Sequence, residues 1–279
     1  MEKVSLAVVF ITKNEEYHIG AAIDNISDIS DEIWVVDSGS SDRTVEIAKA
    51  KGATVVFHPF ENFGAQWNFA IGLPIKTEWT MKMDPDERLN EALKSEIVRE
   101  IAQGTASVCG YCFDRVLWFM GGRLNGVKNE VVRIWRTGAC RFSEVSVNEH
   151  PIIAGEVKKL SGLMEHYDSK DLTHWLEKQN RYTYAEAKMR FDGDALAAKP
   201  RLFGGKLNRR MWLKRLFYHL PGRYLLLDVA LFFMGGAWRS GLLGWRWVKC
   251  REMVMRLREY KFLEMSALTK KVPQRTLCL

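Results

Sequence analysis

A chain of 279 residues, 47% of them hydrophobic, can bury one substantial core with an appendage, and it is too apolar for a disordered reading. The net charge of +7 conceals a split: residues 1–198 sum to −7 and residues 199–279 to +14, so the two parts face different partners. The basic part suits anionic lipid headgroups or nucleic acid. Five scattered cysteines fit reduced thiols better than a disulfide framework, and the Cys109-x-x-Cys112 pair lacks the second pair that a zinc site requires. The first ten residues include Glu2 and lack a basic leader and a small-residue cleavage site, so a cytoplasmic location is expected.

In chain order, residues 4–11 form a continuous apolar run ending in Thr12 and Lys13. Residues 15–26 follow with Ile19, Ala22, Ile23 and Ile26 at helical spacing. A second apolar run over 32–36 is broken by Ser38-Gly39-Ser40-Ser41-Asp42, after which 43–51 read as a helix closed by Gly52. A third strand is expected over 53–57, a helix over 64–71 and a fourth strand over 79–83. This alternation calls for a parallel sheet with helices on its faces. After a helix over 90–103, strand-like runs at 108–119 and 131–135 are expected to complete the sheet in antiparallel or mixed fashion. Residues 172–191 read as an amphipathic helix and 197–205 as a hinge. The expected organisation is an α/β domain over 1–196 and a basic, aromatic-rich helical appendage over 197–279.

In such sheets ligands bind beyond the carboxyl ends of the strands, and here those ends are acidic. The sharpest signal is Asp84-Pro85-Asp86 directly after the fourth strand. Two carboxylates two residues apart on a turn that proline fixes can both enter a cleft, and such hard oxygen ligands select magnesium or manganese, which bridge the phosphates of a diphosphate. Asp37, at the tip of the second strand, is placed to accept hydrogen bonds from a base imide or a ribose hydroxyl. Asp42 fits a helix N-cap better.

The segments Val9 to Glu16 (VFITKNEE), Ile33 to Thr44 (IWVVDSGSSDRT), the helix start at Gly64 to Asn68, and Met81 to Leu89 (MKMDPDERL) together resemble the successive motifs of glycosyltransferase family 2, in the GT-A fold. Within it the chain resembles the lipopolysaccharide core β-glucosyltransferase group. The likeness covers about the first 190 residues as ordered motifs. It implies a Rossmann-like mixed sheet flanked by helices, with Thr12, Asn14, Glu15 and Asp37 holding the nucleoside and Asp84 and Asp86 holding ribose, diphosphate and metal. Asn68 and Lys82 are implied as neighbours. Relatives usually carry Asp-Ala-Asp-Glu after the fourth strand, so Pro85 is a departure in the middle position.

A direct displacement also needs a carboxylate base on the acceptor side, supplied in this family from a later segment. Glu149, in Val147-Asn148-Glu149-His150-Pro151, is the leading candidate and Glu144 the alternative. His166 is a candidate for completing the metal or diphosphate site, with a packed structural histidine as the competing reading. Arg181 is a candidate clamp for an anion or a solvated helical face. In the tail, tryptophans and leucines interleave with arginines and lysines, and the stretch 225–245 is interrupted by Asp228 and Arg239. It therefore reads as an interfacial helix on a membrane surface rather than a span or a nucleic-acid face.

The expected activity is inverting transfer of a hexose, glucose by resemblance, from a nucleoside diphosphate sugar such as UDP-glucose to a lipid-linked or lipopolysaccharide core acceptor. Magnesium or manganese is the expected cofactor, at the inner face of the cell membrane. Another envelope glycan or protein acceptor, or a non-catalytic membrane adaptor, are the rivals. Sugar nucleotidyltransferases place a glycine-rich loop after the first strand, and Ile11-Thr12-Lys13-Asn14-Glu15 contains no glycine.

Overall fold

The first apolar run forms β1 (Val4–Thr12), and Leu6 to Phe10 are wholly buried, as a strand covered on both faces must be. This computed structural model describes residues 2–143, 150–192, 201–203, 205–217 and 220–271. After β1 come α1 (Ile19–Ile26), β2 (Ser30–Asp37), α2 (Thr44–Ala50), β3 (Thr54–Phe57), α3 (Phe63–Ile71) and β4 (Trp79–Lys82). Then follow β5 (Glu87–Leu89), α4 (Glu91–Gln103), β6 (Val108–Phe119), β7 (Gly122–Arg136), β8 (Cys140–Phe142), β9 (Pro151–Ile153) and β10 (Glu156–His166). The expected alternation holds. β5 and β10 were not foreseen, and the run at 131–135 is the end of a longer strand.

One sheet of eight strands runs β3-β2-β1-β4-β7-β6-β10-β5. β1 is parallel to both β2 and β4, β7 is antiparallel to β4, and β10 is parallel to β6 but antiparallel to β5, so the sheet is mixed. β8 and β9 form a separate antiparallel pair. The two-residue period of β1 feeds two cores. Leu6, Val8 and Phe10 pack in one cluster with Ile19, Ile23 and Ile26 of α1 and Leu93 and Ile97 of α4. Val9 joins the other, with Trp67 and Ala70 of α3, Trp135 of β7 and Phe142 of β8.

Local chemistry fixes the helix ends. Asn62 and Asn90 accept the backbone N–H of Ala65 and Leu93 at the starts of α3 and α4, and Gly104, with φ of 60°, closes α4 in the left-handed conformation. Gly162 lets β10 lie against α4, because a Cβ there would stand 2.4 Å from Leu93 Cα.

By contacts the chain forms two units, Met1–Trp118 with Lys128–Asp168, and Phe119–Val127 with Ser169–Leu279. The second contains α5 (Leu172–Asp192), α6 (Lys206–Phe217) and α7 (Arg223–Val229), which continues into a π-helical turn, Ala230–Met234. A 3-10 turn, Ala237–Ser240, and α8 (Gly241–Lys271) complete it. The sequence-expected boundary at 196/197 lies outside the described residues. The contacts divide the chain earlier because α5 packs on α8: Glu186 pairs with Arg258, Lys261 Nζ reaches Asn180 Oδ1 at 2.6 Å, and Arg190 stacks over Phe262. No single described helix is long and apolar enough to cross a membrane. Arg223–Met234 and Ala237–Thr269 together would be, but they are bent by 70° at the break.

Candidate active site

The pairing of β2, β1 and β4 sets three carboxyl ends side by side. Thr12 lies opposite Asp37 and Val9 opposite Lys82, so the loops after these strands share one rim. The first two loops are laced together. Asn14, with φ of 57°, donates its N–H to Ser40 Oγ at 2.8 Å and accepts the Ser41 N–H at 2.8 Å. Glu15 N–H reaches Thr44 Oγ1 at 2.7 Å. A left-handed asparagine is strained backbone that the surrounding bonds hold in place.

Asp37 is buried, and its four acceptor directions are filled from within. Oδ1 accepts from the Thr12 and Ser40 hydroxyls, and Oδ2 from the Gly39 and Ser40 N–H groups at 2.8 Å each. Contact with a nucleoside at this position therefore requires a hydroxyl to swing aside. Asp42, expected as the N-cap of α2, stands one residue before the N-cap Arg43 and accepts from Thr44 N–H at 3.0 Å.

The turn after β4 rests on a buried carboxylate. Glu87 is fully excluded from solvent. Its Oε2 accepts the Asp84 N–H at 3.0 Å, and its Oε1 takes Arg115 at 3.0 Å together with Arg133. Arg133 also donates to Asp84 Oδ2 at 3.1 Å. Burial opposes charge on Asp84, but Arg133 and then Lys82 outweigh it and hold the carboxyl below its ordinary range. Lys82 itself is buried over the Trp67 ring, 4.3 Å from its centre, and 5.3 Å from that of Phe142.

Asp86 meets a different set of groups because β5 pairs antiparallel with β10, setting His166 opposite Glu87. Tyr167 N–H donates to the Asp86 carbonyl at 2.8 Å, and His166 Nε2 lies 3.2 Å from Asp86 Oδ2. Burial opposes an imidazolium, yet the Asp86 carboxylate raises the His166 pKa above its ordinary value. One ligand atom each from Asp86, His166 and Asp168 lie within 4.8 Å of one another. Two carboxylate oxygens and an imidazole nitrogen, half-buried at the rim of a sheet, fit a divalent cation.

The structure thus gathers Thr12, Asn14, Glu15 and Asp37 into one laced pair of loops, and Asp86 with His166 into a ligand set. Asp84 stands outside that trio, on Arg133. Asn68 spends its amide on the Phe142 backbone, donating at 3.1 Å and accepting at 2.8 Å, and so braces β8. Glu149 and its alternative Glu144 lie outside the described residues. The segment that carries them is flanked by Ser143 and His150, which hydrogen-bond to each other at 3.4 Å. Sequence reasoning passed over Asp168, Arg115, Arg133 and Glu87. Asp168 repeats the spacing of Asp84-x-Asp86 as His166-x-Asp168 at a strand end, and Arg133 is a cation inside the apolar run Val131-Val132-Arg133-Ile134-Trp135. Both were visible signals.

Residues 7–127, which carry the laced loops and the acidic turn, match the profile described as Glycosyl transferase family 2. Over that segment the chain is similar to this family. An uncharacterized glycosyltransferase of Rickettsia typhi is 29% identical over 201 residues, covering 67% of this chain and 68% of the relative. Its counterpart in Rickettsia conorii is 29% identical over 200 residues, covering 67% and 70%. Among solved structures, the mannosyltransferase of Pyrobaculum calidifontis in complex with GDP-Man and Mn2+ superposes with a TM-score of 0.55 at 14% identity, covering 94% of this chain and 88% of that one. That likeness extends to the mixed sheet and the C-terminal helix, so the chain has the GT-A fold.

Proposed function

We propose that this family 2 transferase moves a hexose, with inversion, from a nucleoside diphosphate sugar to a hydroxyl of a lipid-linked glycan at the inner face of the cell membrane. The observation that carries the reading is the trio Asp86, His166 and Asp168 on the same rim as the loops of Thr12 and Asp37. Magnesium or manganese held there would neutralise charge on the departing diphosphate. The similar fold of a mannosyltransferase bound to GDP-Man and Mn2+ supports a diphosphate donor and a cation of this kind.

The protein's own groups divide the remaining work. The loops of Thr12, Asn14, Glu15 and Asp37 hold the nucleoside. Asp84, kept ionised by Arg133 and Lys82, accepts from the ribose hydroxyls. Glu149 takes the acceptor proton as its oxygen bonds to C1 and the C1–O bond to the diphosphate breaks, a step that general bases typically accelerate about 10²- to 10⁴-fold. UDP-glucose and a lipopolysaccharide core acceptor follow from the motif resemblance of the chain.

The test is a donor panel. Protein with Mn2+ or Mg2+ is incubated with UDP-glucose, other UDP-sugars and GDP-sugars, with and without envelope lipid extract, and nucleoside diphosphate release is measured. One donor is expected to be consumed faster with extract. Glu149→Gln is expected to abolish transfer while nucleotide binding stays near that of the parent, and retained turnover would remove Glu149 from the role.

A further inference from the structure

The second unit holds charge and apolar surface in an arrangement that sugar transfer does not call for. α7 and α8 pair their charges in opposite chain order. Arg223 Nη2 reaches the two Glu259 oxygens at 2.6 and 2.7 Å, and Tyr224 donates to the same carboxylate. Lys249 Nζ meets Asp228 at 2.8 Å and also Glu252, which accepts from Arg256 Nε at 2.6 Å. Asp228 is buried, although it follows three leucines, Leu225 to Leu227, in α7. Three carboxylates are therefore spent inside the helix pair, where their charge is cancelled at close range.

The other side of the same element is the reverse. Leu225, Leu226, Phe233, Met234, Trp238 and Leu242 are all exposed, Leu225 at 69% and Met234 at 88%. These large side chains flank a 70° break. The break is fixed by backbone contact. Gly236 has φ of 78°, a Cβ on Gly126 would stand 1.8 Å from the Gly236 carbonyl oxygen, and Asn125 N–H donates to Ser240 Oγ at 2.9 Å. The apolar apex is a built corner. Behind it are exposed Arg239, stacked over Trp238 at 5.2 Å, and exposed Arg246. They belong to a segment, 199–279, whose charges sum to +14.

We propose that this helix-break-helix corner is a wedge that docks the protein on an anionic phospholipid surface. Phe233 and Met234 enter the acyl boundary of one leaflet, Trp238 sits at headgroup depth, and Arg239 and Arg246 meet lipid phosphates. Length sets the mode. From Arg223 to Met234 the helix spans 7 and then 5 residues, about 18 Å at 1.5 Å per residue, against a hydrocarbon core of about 30 Å. The element reaches into one leaflet and turns back. The wedge stands independently of the transferase reading, since donor hydrolysis in solution needs no membrane.

The test is flotation of the full-length protein with vesicles of phosphatidylcholine alone or mixed with phosphatidylglycerol. Binding is expected to the mixed vesicles and to weaken with salt. The double variant Phe233→Glu with Met234→Glu is expected to lower the vesicle-bound to free ratio on the order of tenfold or more, with an unchanged melting temperature because both side chains are exposed. Arg239→Gln with Arg246→Gln is expected to remove the preference for phosphatidylglycerol. It serves as the deciding variant if the first one melts early. Equal partition of the variants and the parent would overturn the proposal, as would a parent that floats with neither vesicle. A parent that sediments as a dimer, becomes monomeric in the apex variant and ignores vesicles would assign the corner to a second copy of the chain, and would overturn it too.

Discussion

The two units use their carboxylates in opposite ways. In the first, Glu87 is buried and takes two arginines, one of which, Arg133, also holds Asp84 ionised, while Asp86 faces His166. In the second, Asp228, Glu252 and Glu259 are matched by Lys249, Arg256 and Arg223 within one helix pair, and the surface left over is apolar and cationic. Both begin from ion pairs of similar length. The difference lies in which group is spared. A buried acid that anchors arginines beneath a turn fixes the carboxylates of that turn for a cation or a hydroxyl, whereas acids matched by lysine and arginine within a helix pair leave an apolar face over. Ion pairs thus mark a chemical site in one unit and a docking face in the other.

The strongest way to break the first half of that comparison is to remove a spared carboxylate. Asp86→Asn leaves His166 and Asp168 with one anionic oxygen fewer, and Mn2+ affinity measured by calorimetry with nucleotide present is expected to fall on the order of a hundredfold or more. Chelation with EDTA is expected to stop turnover of the parent, and added Mn2+ to restore it. Arg133→Met comes next. It leaves Glu87 buried with Arg115 alone and takes a cation from Asp84, so a loss of about 3–5 kcal/mol in unfolding free energy is expected. A urea titration measures it. Arg133→Lys is expected to recover only part, because a flexible ammonium replaces a rigid planar guanidinium whose Nη2 now donates to both acids.

Much of this was legible in the chain. The strands after which Thr12, Asp37 and Asp84 sit are continuous apolar runs, and a parallel order forces their carboxyl ends to one side, so the rim follows from periodicity. The resemblance to family 2 supplied roles at the same positions. Partners across the sheet were not legible. His166 meets Asp86 because the three-residue strand β5 pairs with β10, and a strand that short leaves no period to read. Asn68 was expected beside the nucleotide, yet its contact is with Phe142, 74 positions away, a distance along the chain that no local pattern encodes. The division by contacts falls before α5, earlier than the shift in composition, for a related reason. The composition shifts near residue 197, but α5 is acidic and basic in turn, and only its packing on α8 decides where it belongs.

The smallest effect tests the brace on β8 and keeps the second unit as its control. Burial pushes the Cys140 thiol up to about 12. Its alkylation by iodoacetamide at mildly alkaline pH is then about 10³-fold slower than that of an ordinary thiol, since the thiolate is the reacting form. Asn68→Ala deletes both hydrogen bonds to the Phe142 backbone, worth about 1–2 kcal/mol. If those bonds hold β8 closed, Cys140 labelling followed by peptide mass spectrometry speeds up about 5- to 30-fold. Burial also raises the pKa of Cys250, in α8, but that helix is held by the ladder of Asp228, Lys249 and Glu252, so its labelling rate is expected to stay constant. Acceleration at both cysteines would mean that Asn68 supports the whole fold. Acceleration at neither would mean that the Lys82 and Trp67 packing on Phe142 suffices, and that the amide is dispensable to the strand at the foot of the acidic turn.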